Sequence, residues 1–103
     1  FPVSIIQSSI LPISYNVTLT TADTEYSQVL PANCKYFDIQ CRTAFDVRFA
    51  FAAGKVATPV APYATIKAGS SYNSLQLAQG ASPSILYLAS STAGVVMEII
   101  AWS

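Results

Sequence analysis

Residues 35–51, with the sequence KYFDIQCRTAFDVRFAF, contain two runs in which apolar and polar side chains alternate. The odd-numbered positions of both runs are apolar apart from Lys35 and Thr43: Phe37, Ile39, Cys41, Phe45, Val47, Phe49 and Phe51. Successive side chains of a β-strand point to opposite faces of its sheet, so a period of two predicts two half-buried strands. We therefore expect the apolar residues listed to face a common core.

The same period extends over the rest of the chain and predicts about eight short strands at roughly ten-residue spacing. We expect these strands at residues 14–20, 25–30, 35–41, 45–51, 62–68, 72–77, 84–89 and 95–102. Glycine, proline and serine separate them, and helical periodicity is nearly absent. The predicted fold is all-β: a single-domain antiparallel β-sandwich of the jelly-roll or Greek-key kind, formed by residues 14–103.

Residues 1–13, FPVSIIQSSILPI, are predicted to form an extended N-terminal arm in front of the sandwich. The segment is uncharged. We expect five of its apolar residues to make contacts: Phe1, Val3, Ile5, Ile6 and Ile10. A free apolar segment promotes aggregation, so we expect the arm to be docked, either as an edge strand of its own domain or by exchange with a neighbouring subunit.

Two further segments are candidates for contacts with a partner. Residues 52–62, AAGKVATPVAP, are predicted to form a long loop, because their prolines cannot continue a central strand. We expect Val56 and Val60 of this loop to lie either on a neighbour or on the protein's own surface. In the last strand, Val96, Ile100 and Trp102 share a face that is apolar except for one residue. A strand that is apolar on both faces is either central in a covered sheet or buried by another chain.

Charge is scarce: only 10% of the 103 residues are charged, the formal net charge is zero, and there is no histidine. An average domain is about 25% charged, and catalysis usually needs a titratable group, most often histidine. We therefore expect no catalytic residue, no cofactor and no metal site. The scattered Lys and Arg argue against a nucleic-acid partner, and no apolar run is long enough for a membrane helix.

Few side-chain constellations offer an alternative. Asp38 and Asp46, on neighbouring predicted strands, could approach each other as a glycosidase pair does, although ion pairs of Asp46 with Arg42 and of Asp38 with Arg48 are the preferred interpretation. Cys34 and Cys41 would lie on opposite faces of one strand, about 23 Å apart. That separation exceeds disulfide reach, so free thiols are expected.

Exposed tyrosines leave a second alternative open. Tyr36, Tyr63 and Tyr72 could form a sugar-binding platform or part of a subunit interface, since aromatic side chains are enriched in both. The interface is the preferred interpretation, because so little charge is present to orient a sugar.

Three stretches are similar to small virion proteins of tailed bacteriophages: TEYSQVLPANCKYFDIQCRTAFDVRFAF (24–51), PYATIKAGSSYNS (62–74) and LYLASSTAGVVMEIIAW (86–102). The resemblance implies a non-enzymatic structural protein located in the virion. Its role would be capsid decoration or an accessory one in the head, and its partners would be itself and the major capsid protein. Alternatives are a neck, tail or fibre component, or a carbohydrate- or receptor-binding sandwich.

Overall fold

Alternating side chains build strands along the whole described chain, which in this computed structural model comprises residues 12–77 and 84–102. The eight strands are β1 (Ile13–Leu19), β2 (Tyr26–Val29), β3 (Tyr36–Cys41), β4 (Val47–Ala50), β5 (Ala64–Ile66), β6 (Ser71–Gln76), β7 (Ile85–Ala89) and β8 (Val95–Trp102). The described residues contain no helix, and hence none that is long and apolar enough to cross a membrane.

The strands form two antiparallel sheets, sheet A in the order β1-β8-β3-β6 and sheet B in the order β2-β7-β4-β5. Strand β1 pairs with β8, β2 with β7, β3 with β6 and β4 with β5. The two halves of the chain thus pair like one long hairpin, which is rolled so that β3 also pairs with β8 and β4 with β7. This is the double-sheet arrangement of a jelly roll, and the predicted fold class is confirmed.

The core fills the space between the sheets with the inward-facing apolar residues of both. Strand β8 displays the alternation most clearly, because its four odd-numbered residues are buried and its four even-numbered residues are partly or fully exposed. The largest fully buried side chains are Leu19, Leu30, Phe37, Ile39, Val47, Val56, Ile66, Leu86, Leu88, Val95, Met97 and Ile99. All but Val56 belong to one continuous cluster.

Strand β4 is shorter than predicted, and this corrects two core assignments. It covers only Val47–Ala50, whereas Phe45 and Phe51 lie outside the strand and are 42% and 55% exposed. Side-chain parity holds only while the backbone stays extended, so it does not carry over to residues beyond the ladder. In sheet A, strand β1 begins at Ile13, a residue that was predicted to belong to the N-terminal arm. Residues 1–11 of that arm lie outside the part of the chain that the structure describes.

The register defines two ends of the sandwich. At the terminus end, β1, β3, β5 and β7 begin and β2, β4, β6 and β8 end. Contact between the rings of Phe37 in sheet A and Phe51 after β4 places this end of both sheets together. The opposite end carries the connections β1–β2, β3–β4, β5–β6 and β7–β8.

Both cysteines are free thiols. Cys34 is buried, and its amide donates to the Pro31 carbonyl in a turn before β3. Cys41 ends β3 and packs against the same core. The two thiols therefore both belong to the core side, contrary to the predicted opposite faces, because Cys34 precedes the strand.

Candidate functional site

The loop between β4 and β5, residues 51–63, lies over the outer face of the protein's own sheet B, and we call it the covering loop. Its Val56 is fully buried and packs with Ala50 and Ala89, while Tyr87 borders the cluster. Val56 was predicted to be a candidate contact residue for a partner. In the structure the domain's own sheet covers it, so its side chain offers no surface to a partner. Val60 of the same loop is exposed.

Arg48 holds the covering loop in place. Its Nε donates to the Val56 carbonyl at 2.7 Å and its Nη2 to the Ala57 carbonyl at 3.3 Å. The same Nη2 forms an ion pair of 3.0 Å with Asp23. The expected pairing of Arg48 with Asp38 is therefore wrong: Arg48 lies on the outer face of sheet B and Asp38 belongs to sheet A.

Large apolar side chains are exposed together at the terminus end. They are 38% to 55% exposed and comprise Ile13, Val29, Phe51, Tyr63 and Ile85. The Phe51 ring makes edge contacts with Phe37 and Phe49, so it extends the core outward rather than standing alone. Phe51 and Tyr63 also line a cavity of about 320 Å³ together with Phe49 and Pro62. Exposed apolar groups gathered in this way are typical of an interaction surface.

The predicted arm enters the domain at this same end. Its contact residues Phe1, Val3, Ile5, Ile6 and Ile10 lie outside the described residues. The first strand residue, Ile13, pairs with Ala101 at the terminus end. Residues 1–11, which carry no charge, lie before this strand in the sequence.

Charges concentrate at the opposite end. Asp23, Glu25, Arg42, Asp46 and Lys67 all lie in the connections there. The Ala68 amide donates to Asp46 at 2.7 Å and the Lys67 ammonium pairs with it at 3.2 Å, and these contacts lower the pKa of the Asp46 carboxyl. Half of the ten charged residues therefore lie in these connections, although Phe45 is also exposed at this end and Lys35 lies at the terminus end.

The outer face of sheet A carries the three residues predicted on the last strand. Val96 and Trp102 are half-buried and Ile100 is exposed. Glu98 lies between them and accepts from Gln40 at 2.8 Å and from Arg42 at 2.9 Å, which lowers the pKa of the Glu98 carboxyl. Arg42 thus pairs with Glu98, whereas the sequence had predicted a pair with Asp46.

A groove of about 380 Å³ with both polar and apolar lining lies on this face. Its lining includes Ser14, Asn16, Asp38, Gln40, Asn73, Glu98 and Ile100. At its edge the Trp102 indole donates to Asp38 at 3.0 Å, and the Trp102 ring stacks on Tyr36 with the centroids 5.9 Å apart. The face that was predicted to be apolar therefore mixes polar and apolar side chains, with Ile100 at its centre between Ser14 and Asp38.

The structure separates the groups on which the alternative chemistries depend. Asp38 lies on sheet A, whereas Asp46 precedes β4 of sheet B at the opposite end, so they do not form a glycosidase pair. Tyr36 stacks beside the groove, Tyr63 lies at the terminus end, and Tyr72 packs edge-on against Phe49. The three tyrosines do not share one platform.

Sequence patterns missed two groups of surface residues. Phe51 and Tyr63 were not predicted as terminus-end residues, because no local pattern marks where β4 stops. The polar positions Asn16 and Gln40 could have been found from the alternation, since each occupies the non-core parity of its strand. Asn73 carries no such signal, because a bulge positions it.

Comparison of the chain with protein-family models, with curated proteins and with solved structures gives no match. The described residues have three distinctive surfaces: the terminus end with its exposed apolar side chains, the opposite end with half of the charges, and the groove on the outer face of sheet A.

Proposed function

We propose that this protein is a non-enzymatic structural component of a virion, a capsid decoration or accessory head protein that assembles with copies of itself and with the major capsid protein. The observation that carries the proposal is the polarity of the sandwich. Five large apolar side chains are exposed at the terminus end, and five charged residues lie at the opposite end. The terminus end is therefore suited to burial against a partner, whereas the opposite end carries half of the charged residues.

The apolar end favours protein–protein contact over a small-molecule role. A stable interface buries about 800 Å² per partner and has an apolar, aromatic centre. Phe51 and Tyr63 supply such a centre, and each contributes roughly 25 cal/mol for every Å² of apolar surface removed from water. The jelly roll behind them supplies a rigid support, although the fold by itself assigns no function.

We assign the terminus end to one occupant, residues 1–11 of a neighbouring copy. The segment is uncharged, and Val3, Ile5, Ile6 and Ile10 give it apolar side chains to bury against the five apolar side chains exposed at the terminus end. Fully extended, these eleven residues span at most roughly 40 Å, which is long enough to reach an adjacent subunit. Repeating the exchange over many copies on one shell strengthens a modest contact by avidity.

The oligomeric state of the full chain tests the assembly. We expect size-exclusion chromatography with light scattering to give an oligomer, and removal of residues 1–11 or Phe51→Ser to shift it towards monomer. The matched control is Phe45→Ser, which removes an exposed phenylalanine from the opposite end and should leave the oligomer intact. Circular dichroism checks that each variant is folded. A full-length chain that is monomeric at every concentration would contradict the assignment of the terminus end.

The virion location has its own test. Mass spectrometry of purified particles should detect peptides of this chain at many copies per particle if it decorates the capsid. A few copies per particle would instead indicate the neck, tail or fibre alternative. Absence from purified particles would contradict the proposal.

A further inference from the structure

We infer that the groove on the outer face of sheet A is a binding site for a neutral saccharide. This goes beyond the proposed assembly role, because the groove and the terminus end are different surfaces. The groove faces away from the core across three neighbouring strands, β1, β8 and β3.

Strand register arranges the outward-facing side chains of the groove in two parallel rows. Ser14, Ile100 and Asp38 are cross-strand partners in one row. The next row contains Asn16, Glu98 and Gln40. Cross-strand neighbours are about 5 Å apart, so side chains on adjacent strands can reach different hydroxyl groups of one sugar ring.

The carboxylates of the groove are held in fixed orientations. The Ser74 amide donates to Asp38 Oδ1 at 2.6 Å and the Trp102 indole to Oδ2 at 3.0 Å. Glu98 is fixed in the same way by Gln40 and Arg42. An ionised carboxylate offers about four lone-pair sites, so each carboxylate keeps acceptor capacity for ligand hydroxyls. Oriented acceptors lose little entropy on binding.

A β-bulge brings Asn73 into the groove. Leu75 pairs with Phe37 and Tyr72 with Ile39, so Asn73 and Ser74 together stand opposite Asp38. Ser74 adopts a φ of 55°, which is unfavourable for a residue with a side chain. Bulges redirect side chains and are frequent beside binding sites. Strain here is compensated by the hydrogen bond from the Ser74 amide to Asp38.

Two amides in the groove are available to a ligand. The side chains of Asn16 and Asn73 are exposed and form no hydrogen bond with another described residue. Each amide provides two donors and an acceptor, which complements hydroxyl groups that both donate and accept. Exposed Ile100 between them offers an apolar contact for the C–H groups of a ring.

Charge and size restrict the class of ligand that fits the groove. Two carboxylates line the groove, and the guanidinium beside it is already paired with one of them, so an anionic ligand is disfavoured. A metal ion is not favoured either, because the described residues contain no group of three His, Cys, Asp or Glu side chains that could hold one. A volume of about 380 Å³ lies in the range of small-ligand sites and accommodates one or two sugar rings.

Amide chemical shifts of the ¹⁵N-labelled full chain test the inference. The probes are glucose, galactose, mannose and N-acetylglucosamine, each titrated to high millimolar concentration, with glucuronate as the anionic comparison. We expect at least one neutral sugar to give saturable shifts of the Asn16, Gln40 and Ile100 amides. Shifts at Ser27 on the outer face of sheet B should be negligible, and glucuronate should bind more weakly.

Variants locate the site. Asn16→Ala and Asn73→Ala should each weaken binding roughly tenfold, as expected for the loss of hydrogen bonds to the ligand. Thr18→Ala is the matched control, because Thr18 is exposed on the same face of β1 but outside the groove, and it should bind like the natural chain. Absence of saturable shifts with all four neutral sugars overturns the inference. So does binding that both asparagine variants leave unchanged.

Discussion

Replacing Arg48 with methionine should destabilise the domain far more than removing an exposed ion pair. Methionine keeps the aliphatic length of the side chain but cannot donate to the Val56 and Ala57 carbonyls or pair with Asp23. The arginine side chain is only 15% exposed. Its loss therefore leaves carbonyl groups of the covering loop without their donor at a partly buried position.

The magnitude follows from these contacts. A hydrogen bond from a charged donor contributes about 1.5–3 kcal/mol, and the contact at 2.7 Å to Val56 is the stronger of the two. Asp23 is 58% exposed, so solvent screening limits the ion pair to a few tenths of a kcal/mol. We expect Arg48→Met to lower the free energy of unfolding by about 2–4 kcal/mol. For a domain of this size that corresponds to a Tm decrease of roughly 10–20 °C.

Urea unfolding followed by the fluorescence of Trp102, the single tryptophan, measures the effect. The matched control is Lys67→Met, which removes an ion pair whose lysine is 73% exposed and should cost about 1 kcal/mol at most. Trypsin cleavage after Lys55, in the covering loop, should also accelerate in Arg48→Met. If both variants lose the same small free energy and Lys55 remains equally protected, Arg48 does not hold the loop and the reasoning is refuted.

Other consequences of the structure can be measured separately. The pKa values of the Asp46 and Glu98 carboxyls are lower in the folded protein than in the unfolded chain, so the unfolded chain takes up protons first on acidification. The free energy of unfolding should therefore be constant above about pH 5 and decrease as the pH falls through the folded-state pKa values. Urea titrations should show a weaker decrease in Asp46→Asn or Glu98→Gln. Phe37→Ala, at the fully buried centre of the core, should cost about 3–5 kcal/mol by thermal unfolding, and a loss under 1 kcal/mol would contradict its placement. Burial raises the pKa of the Cys34 thiol, so iodoacetamide should modify Cys41 before Cys34 in the native protein. In urea the two thiols should react at similar rates. Faster labelling of Cys34 than of Cys41 in the native protein would argue against the burial of Cys34.

Periodicity alone predicted the fold class and most of the strand positions. Strand β8 was predicted with its observed bounds, because its side chains alternate between the two faces without interruption over eight residues and a glycine turn precedes them. Core residues such as Phe37, Val47 and Phe49 followed from the same pattern. Alternation is a local property of an extended backbone, so it can be read from neighbouring residues without knowledge of the rest of the chain.

Only the tertiary structure decided where the strands stop and what covers each face. Phe51 shares its parity with buried Phe49, yet β4 has ended before it and Phe51 is exposed. Val56 lies in a loop but is buried, because the loop folds back on sheet B, where Arg48 donates a hydrogen bond to the Val56 carbonyl. Val56 also packs against Ala89 of β7, and a pattern that relates only near neighbours carries no information about such a contact. The ion pairs illustrate the same limit: Arg42 reaches Glu98, 56 residues away, rather than the nearby Asp46.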